Sequence, residues 1–262
     1  MNTILEKIVN KTRDDLAIRK KNIPAHNFTS FADYSRPRRD FSSSLKSGSE
    51  ITIIAEIKKA SPSMGIIRED FNPTSLAQSY TRNGASAISV LTDEPFFQGS
   101  LKYLRDVSEV SRLPILRKDF ILDPYQMLEA RAWGADAVLL IVKILGGEQL
   151  YELHHAAIES GLQVLVECYD IADWERIDFD RISIVGVNNR NLDTFEVDLH
   201  RGIELLARAP EGVIRVSESG IHKPEDLMLL SDNGIHSALI GEHFMRSQDP
   251  GYELSRFIDM TK

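Results

Sequence analysis

The chain has 262 residues, of which 42% are hydrophobic and 27% charged, with a formal net charge of −8. That apolar share excludes a disordered chain, which could not bury enough surface to offset its ordering entropy. The acidic balance argues against the basic groove of a nucleic-acid binder, and the one cysteine, Cys168, excludes an internal disulfide or a cysteine-built zinc cage.

Residues 2–21 predict a helix, with Ile4, Leu5, Ile8, Val9 and Leu16 near one face and Pro24 limiting its extension. No apolar leader segment is present, and no stretch approaches the roughly 18 apolar residues of a membrane span, so the expectation is a cytoplasmic protein without a membrane contact. Residues 26–50 are polar, and the cluster Arg36, Arg38, Arg39 within them reads as a solvated loop. From residue 51 the pattern becomes regular. Eight short apolar runs (51–58, 86–92, 114–120, 137–142, 162–169, 182–189, 213–219 and 236–241) alternate with stretches of helical period (74–83, 101–110, 124–133, 148–160, 171–177, 199–208, 224–231 and about 251–260). Three of the helical stretches lead into a glycine stop before the next run, in NGAS, WGAD and ESGLQ. Near-continuous apolar strands, each followed by a helix, predict a parallel sheet covered on both faces. A count of eight favours a closed (β/α)8 TIM barrel, residues 49–262, with an N-terminal helical extension, residues 1–48, packed on it as part of one domain. Neither a GxGxxG nor a GxxxxGK[ST] motif is present, so dinucleotide and P-loop readings lose their usual support.

In such a barrel the chemistry sits at the C-terminal ends of the strands, and unusual polar residues collect there. The first run ends with Glu56 and Lys58, which share a strand face. The third ends with Lys118, the fifth with Glu167, the sixth with Asn188 and Arg190, and the seventh with Glu218. A lone charge at a strand end is usually solvated or salt-bridged; five strand ends aimed at one mouth are not readily explained that way. Arg117 and Asp119 alternate with Lys118, so they are predicted to face the helix layer in structural ion pairs. Ser219-Gly220 and Gly241-Glu242 follow the last two runs, the usual place for a phosphate held by backbone N–H groups. Glu242 is assigned there through its backbone, since its carboxylate would oppose an anion. Ser61-Pro62-Ser63 reads as a polar turn before a lid-like loop. The seven histidines show no ligand spacing and are expected on the surface or in the helix layer, without a metal. Cys168, in an apolar run, is expected to be a buried structural thiol. Trp133 and Trp174 are expected in the core.

Seven segments resemble the indole-3-glycerol-phosphate synthase family: IAEIKKASPSMGIIREDFNP (54–73), SVLTDEPFFQGSLKYL (89–104), PILRKDFILDPYQ (114–126), VLVECYD (164–170), VGVNNRNLDTFEVD (185–198), VSESGI (216–221) and ALIGEHFM (238–245). The leading ILEKIVNKTRDDL is similar to the family's first helix. Met64 departs from the lysine that many members carry in the loop after SPS. The resemblance implies ring closure, decarboxylation and dehydration of 1-(2-carboxyphenylamino)-1-deoxyribulose 5-phosphate in tryptophan biosynthesis, with no cofactor or metal and an anionic sugar phosphate as the small-molecule partner. It implies Lys118 as general acid helped by Lys58, Glu167 as second acid/base group, Glu56 and Glu218 orienting the lysines, and Asn188 bonding substrate oxygens. Lys58, Arg190 and Ser61 would hold the substrate carboxylate, and Phe97, Phe120 and Leu192 the aromatic ring. A monomer is expected. The residues alone leave open another phosphate-handling barrel, such as a sugar-phosphate isomerase or a Schiff-base aldolase using Lys118, and a barrel that only binds.

Overall fold

The computed structural model describes residues 3–46, 50–191 and 194–261. The expected boundary between residues 48 and 49, and the expected ring contact Leu192, lie outside the described residues. Eight parallel strands close into a barrel: β1 (Thr52–Ile57), β2 (Ala87–Leu91), β3 (Ile115–Lys118), β4 (Ala137–Ile141), β5 (Gln163–Cys168), β6 (Ile184–Asn188), β7 (Ile214–Glu218) and β8 (Ser237–Ile240). Each pairs with its sequence neighbours, and β8 returns to β1 in the register Thr52↔Ser237 to Ala55↔Ile240. Helices cover the outside, Pro73–Arg82, Leu101–Val110, Tyr125–Ala132, Gly147–Glu159, Leu199–Leu206, Pro224–Asp232 and Pro250–Asp259 among them. The helix expected at 171–177 is confined to Ile171–Trp174, and two short helices, Glu94–Phe97 and Glu242–Arg246, were not anticipated. Asp93 starts the first of these by accepting bonds from the Phe96 and Phe97 amides, the N-cap chemistry of a short carboxylate.

Strand alternation sorts the residues into two cores. Ile53, Ala55, Ile115, Val138, Leu140, Val164, Val166, Val185 and Val187 face the helix layer. Ile54, Leu116, Leu139, Ile141, Leu165, Ile184, Val216 and Leu239 fill the barrel interior. Cys168 belongs to the outer set and is buried, its thiol pushed up by burial first, then by the carboxylates around it. Trp174 is buried too, whereas Trp133 lies half-buried against Phe31.

The extension straps the barrel from mouth to base. α1 (Ile4–Asn22) opens with a Thr3/Glu6 capping box, and its Leu5 and Ile8 join the interior core. Its C-terminal half is tied to the helix layer through Arg19–Glu129 (2.8 Å) and through the Tyr125 hydroxyl, which donates to the Ile23 carbonyl (2.9 Å). The chain then passes to the N-terminal ends of the strands, where Phe41 and Leu45, both fully buried, close the interior from below. The arginine cluster is not the solvated loop that its composition suggested. Arg36 and Arg39 pair with the buried Asp136 at 2.8 and 3.0 Å, and Arg38 donates to the carbonyls of Arg131 and Ala135. Burial, then the neighbouring Arg36, lowers Arg38 to about 10. Charge patterning marks a cluster but not its distant partner: Asp136 lies roughly 100 residues away in sequence, which no local pattern reveals. Among the described residues, no helix is long and apolar enough to cross a membrane.

Candidate active site

The alternation that builds the interior also builds the site. On each contributing strand the inward positions run from apolar at depth to polar at the mouth. Ile54 is followed two residues on by Glu56 and then Lys58; Leu116 by Lys118; Leu165 by Glu167; Val216 by Glu218; and Ile184 by Gly186 and then Asn188. The polar members, Glu56, Lys58, Lys118, Glu167, Asn188 and Glu218, line one cleft together with Ser61, Phe97, Phe120, Arg190, Ser219, Gly220, Gly241 and Glu242, so every predicted site residue except the undescribed Leu192 is brought together. The neighbours of Lys118 point the other way: Arg117 bonds Asp119 and Glu129, each at 2.8 Å, in the helix layer.

Two ammonium groups sit among four acidic and amide side chains. Lys58 Nζ lies 2.7 Å from Glu56 Oε1. Lys118 Nζ lies 3.1 Å from Glu167 Oε2 and 3.8 Å from Glu218 Oε2. Asn188 Nδ2 reaches the other Glu167 oxygen at 3.5 Å, and Asn188 Oδ1 accepts from the Arg190 amide at 3.1 Å. Burial pulls Lys118 down, but the surrounding Glu167, Glu218 and Glu56 outweigh it and hold the ammonium above the usual lysine range. Burial, then the Glu167 carboxylate, pushes Glu218 well above the usual carboxylate range against the pull of Lys118. Among the described residues, neither Glu218 oxygen accepts a hydrogen bond, and the side chain adjoins Glu167. The Lys118 ammonium therefore sits between two buried acids, Glu167 and Glu218, of which Glu218 is pushed toward its protonated form. Two glycines make room for the acids. A Cβ on Gly186 would stand 2.3 Å from Glu218 Oε1, and one on Gly241 would stand 2.2 Å from Glu56 Oε1.

The cleft has two further ends. Phe97 and Phe120, ring centroids 6.0 Å apart, form an apolar wall with Leu139, Ile141 and, from α1, Ile4, Leu5 and Ile8. At the other end the segments after β7 and β8 meet. Ser219 takes a left-handed backbone conformation with φ 68° and carries the chain into Gly220. Glu242 turns its carboxylate to Arg190 at 2.9 Å and Arg246 at 3.4 Å. The α1 residues, Leu139, Ile141, Phe195, His222 and His243 are cleft residues that sequence reasoning missed. Leu139 and Ile141 were recoverable, because they share the inward alternation that the charged strand ends follow. His222, exposed as expected, and His243, in the short helix Glu242–Arg246, also border the cleft, since both lie one or two residues beyond the glycine-containing segments.

An interior that changes from apolar to acid–base only at the C-terminal strand ends is the layout of a (β/α)8-barrel enzyme. The chain matches the family model for indole-3-glycerol phosphate synthase over residues 5–257. It is 48% identical over 247 residues to the indole-3-glycerol phosphate synthase of Rhodopirellula baltica, covering 94% of this chain and 95% of that one. It is 46% identical over 256 residues to the enzyme of the same name from Salinibacter ruber, covering 97% and 94%. The chain belongs to the indole-3-glycerol phosphate synthase family: it is a carboxy-lyase of tryptophan biosynthesis acting on a sugar phosphate. Among solved structures, a mutant tryptophan synthase alpha-subunit from Pyrococcus furiosus superposes with a TM-score of 0.60 at 14% identity, covering 82% of this chain and 98% of that one. Thiamine phosphate pyrophosphorylase from the same organism gives 0.59 at 13%, covering 81% and 96%. At such identities the likeness concerns the barrel fold alone.

Proposed function

We propose that Lys118, Glu167 and Glu218 carry the proton transfers of this reaction. The observation that bears most weight is the Lys118 ammonium lying 3.1 Å from Glu167 and 3.8 Å from Glu218. As the ring carbon that bears the carboxylate attacks the sugar carbonyl, Lys118 gives a proton to the carbonyl oxygen and the developing oxyanion becomes a hydroxyl. Loss of carbon dioxide returns its bonding electrons to the ring system. Glu218 then restores the Lys118 proton, the hydroxyl leaves as water with that proton, and Glu167 takes up the proton that the new ring releases. Two protons are delivered and one is recovered, which matches the net uptake of one proton when a carboxylate leaves as carbon dioxide. A lysine held charged is an acid; the Schiff-base alternative needs the neutral amine.

The remaining roles follow the cleft's two ends. Lys58, held by Glu56, would meet the substrate carboxylate with Ser61 and with Arg190, whose guanidinium exchanges Glu242 for the substrate. Asn188 would bond substrate oxygens beside Glu167. Phe97 and Phe120 would face the aromatic ring, and the backbone of Ser219, Gly220, Gly241 and Glu242 the phosphate. Lys118→Ala tests the assignment. Its turnover, followed by the fluorescence of the indole product, is expected to fall about 10²–10⁴-fold in a folded variant; wild-type turnover would remove Lys118 from the chemistry.

A further inference from the structure

Beyond the cleft itself, the seam between β5 and β6 has an unusual closure. These strands carry Glu167 and Asn188, whose mutual distance the proposed chemistry depends on. Their ladder runs Val166↔Val185, Glu167↔Gly186, Cys168↔Val187 and stops there. On its other side β6 goes on pairing, with Asn188 opposite Glu218, and the Asn189 amide donates to the Glu218 carbonyl at 2.8 Å. Among the described residues the β5 side has no such continuation. The residues just past the ladder, Tyr169 and Asn188, instead present their carbonyls to one guanidinium. Arg201, in the first turn of the helix Leu199–Leu206, donates through Nη1 to the Tyr169 carbonyl and through Nη2 to the Asn188 carbonyl at 2.9 Å. Its guanidinium carbon lies 3.8 Å from the centroid of the Tyr169 ring. A small cavity bordered by Ile141, Glu167, Tyr169, Asp173 and Asn188 adjoins the same strand tips, so close packing does not by itself pin them.

We propose that Arg201 is a positioning residue for the known reaction: its two-pronged fork replaces the missing rung between β5 and β6 and sets the spacing of Glu167 and Asn188. Only a planar guanidinium spans two carbonyls and stacks on an aromatic ring at once; a lysine ammonium does not reproduce that geometry. Arg201 touches no reacting atom and acts through the two strand tips. The inference rests on the acid/base reading of Glu167.

Steady-state kinetics of Arg201→Gln and Arg201→Lys, each with its thermal midpoint, test it alongside Glu167→Gln and the Arg201→Gln/Glu167→Gln double variant. A misplacement of about 1 Å costs on the order of 10²-fold, so kcat of Arg201→Gln is expected to fall roughly 10- to 100-fold with KM within about threefold. Arg201→Lys, which keeps charge and bulk and so folds if the residue only needs a cation, is expected to be nearly as slow. Added guanidinium at tens of millimolar, on the order of what small-molecule rescue requires, is expected to restore part of the activity of Arg201→Ala; a merely structural loss would not respond. With Glu167 already replaced, the Arg201→Gln change is expected to cost less than about threefold more, because coupled groups are not additive. If Arg201→Gln or Arg201→Lys folds and turns over within twofold of wild type while Glu167→Gln is slow, Arg201 is not a positioning residue and the site reading stands. If Glu167→Gln itself turns over normally, the reading beneath the inference has failed.

Discussion

Asp136 at the base of the barrel and Glu218 at its mouth are both almost completely buried carboxyl groups, yet their surroundings are opposite. Asp136 accepts four bonds: Arg36 and the Arg39 amide on one oxygen, the Arg39 side chain and the Ile115 amide on the other. Among the described residues Glu218 accepts none, and the nearest cation, Lys118, stands 3.8 Å away. Asp119, next in sequence to Lys118 but facing outward, resembles Asp136. It is saturated by Arg117, the Thr92 hydroxyl and the Phe120 amide. A buried polar group left without partners costs stability, so a fold that retains one has another use for it. Saturated carboxylates lock the strap and the helix layer to the barrel; the unfilled bonding capacity of Glu218 at the mouth awaits a substrate.

Breaking the base should separate the two kinds of charge most widely. Asp136→Asn strands Arg36 and Arg39, and losing one side of a buried ion cluster costs about 3–5 kcal/mol. Denaturant unfolding is expected to show that loss, with kcat of the folded fraction within twofold of wild type. The converse appears at the mouth. Gly186→Ala puts a methyl group 2.3 Å from a Glu218 oxygen, so the acid must turn away. Roughly tenfold slower turnover is expected, smaller than the loss from removing a transition-state acid outright. A further effect, confined to pH dependence, concerns Asp93, which caps the segment bearing Phe97. Burial lifts it to about 6 against the bonds from the Phe96 and Phe97 amides, with Asp119 adding to the rise. The folded chain thus keeps a proton that the unfolded chain gives up from the ordinary 3.8 upward. This group's contribution to stability is full below that value and is lost as pH rises through about 6. Asp93→Asn, which keeps the capping oxygen, is expected to remove that slope and to unfold about 1–3 kcal/mol harder than wild type above pH 6. Unfolding curves between pH 4 and 7 check both signs.

How much of this was legible beforehand depends on the range of the signal. Strand parity is local, so Glu56 with Lys58, and Lys118 with outward Arg117 and Asp119, could be assigned from spacing, and the geometry agrees. The eightfold alternation likewise gave the barrel. Residues joined only by closure of the fold were hidden. The α1 apolar face was expected only to pack the extension on the barrel, and nothing local shows that Ile4, Leu5 and Ile8 end in the cleft wall. Arg36, Arg38 and Arg39 read as solvated because their acceptors lie far along the chain. Arg201 sits on a helix, and its link to two strand tips exists only once those strands lie side by side.

The difference between saturated and bare carboxyls is tested most directly by Glu218→Gln, an uncharged replacement of equal shape, with unfolding free energy and kcat measured on the same preparation. The account predicts stability within about 1 kcal/mol of wild type, or higher, and kcat reduced at least tenfold, on the order of a lost proton donor. A variant that loses several kcal/mol of stability while turning over normally would mean that Glu218 serves the fold, as Asp136 does, and would contradict it.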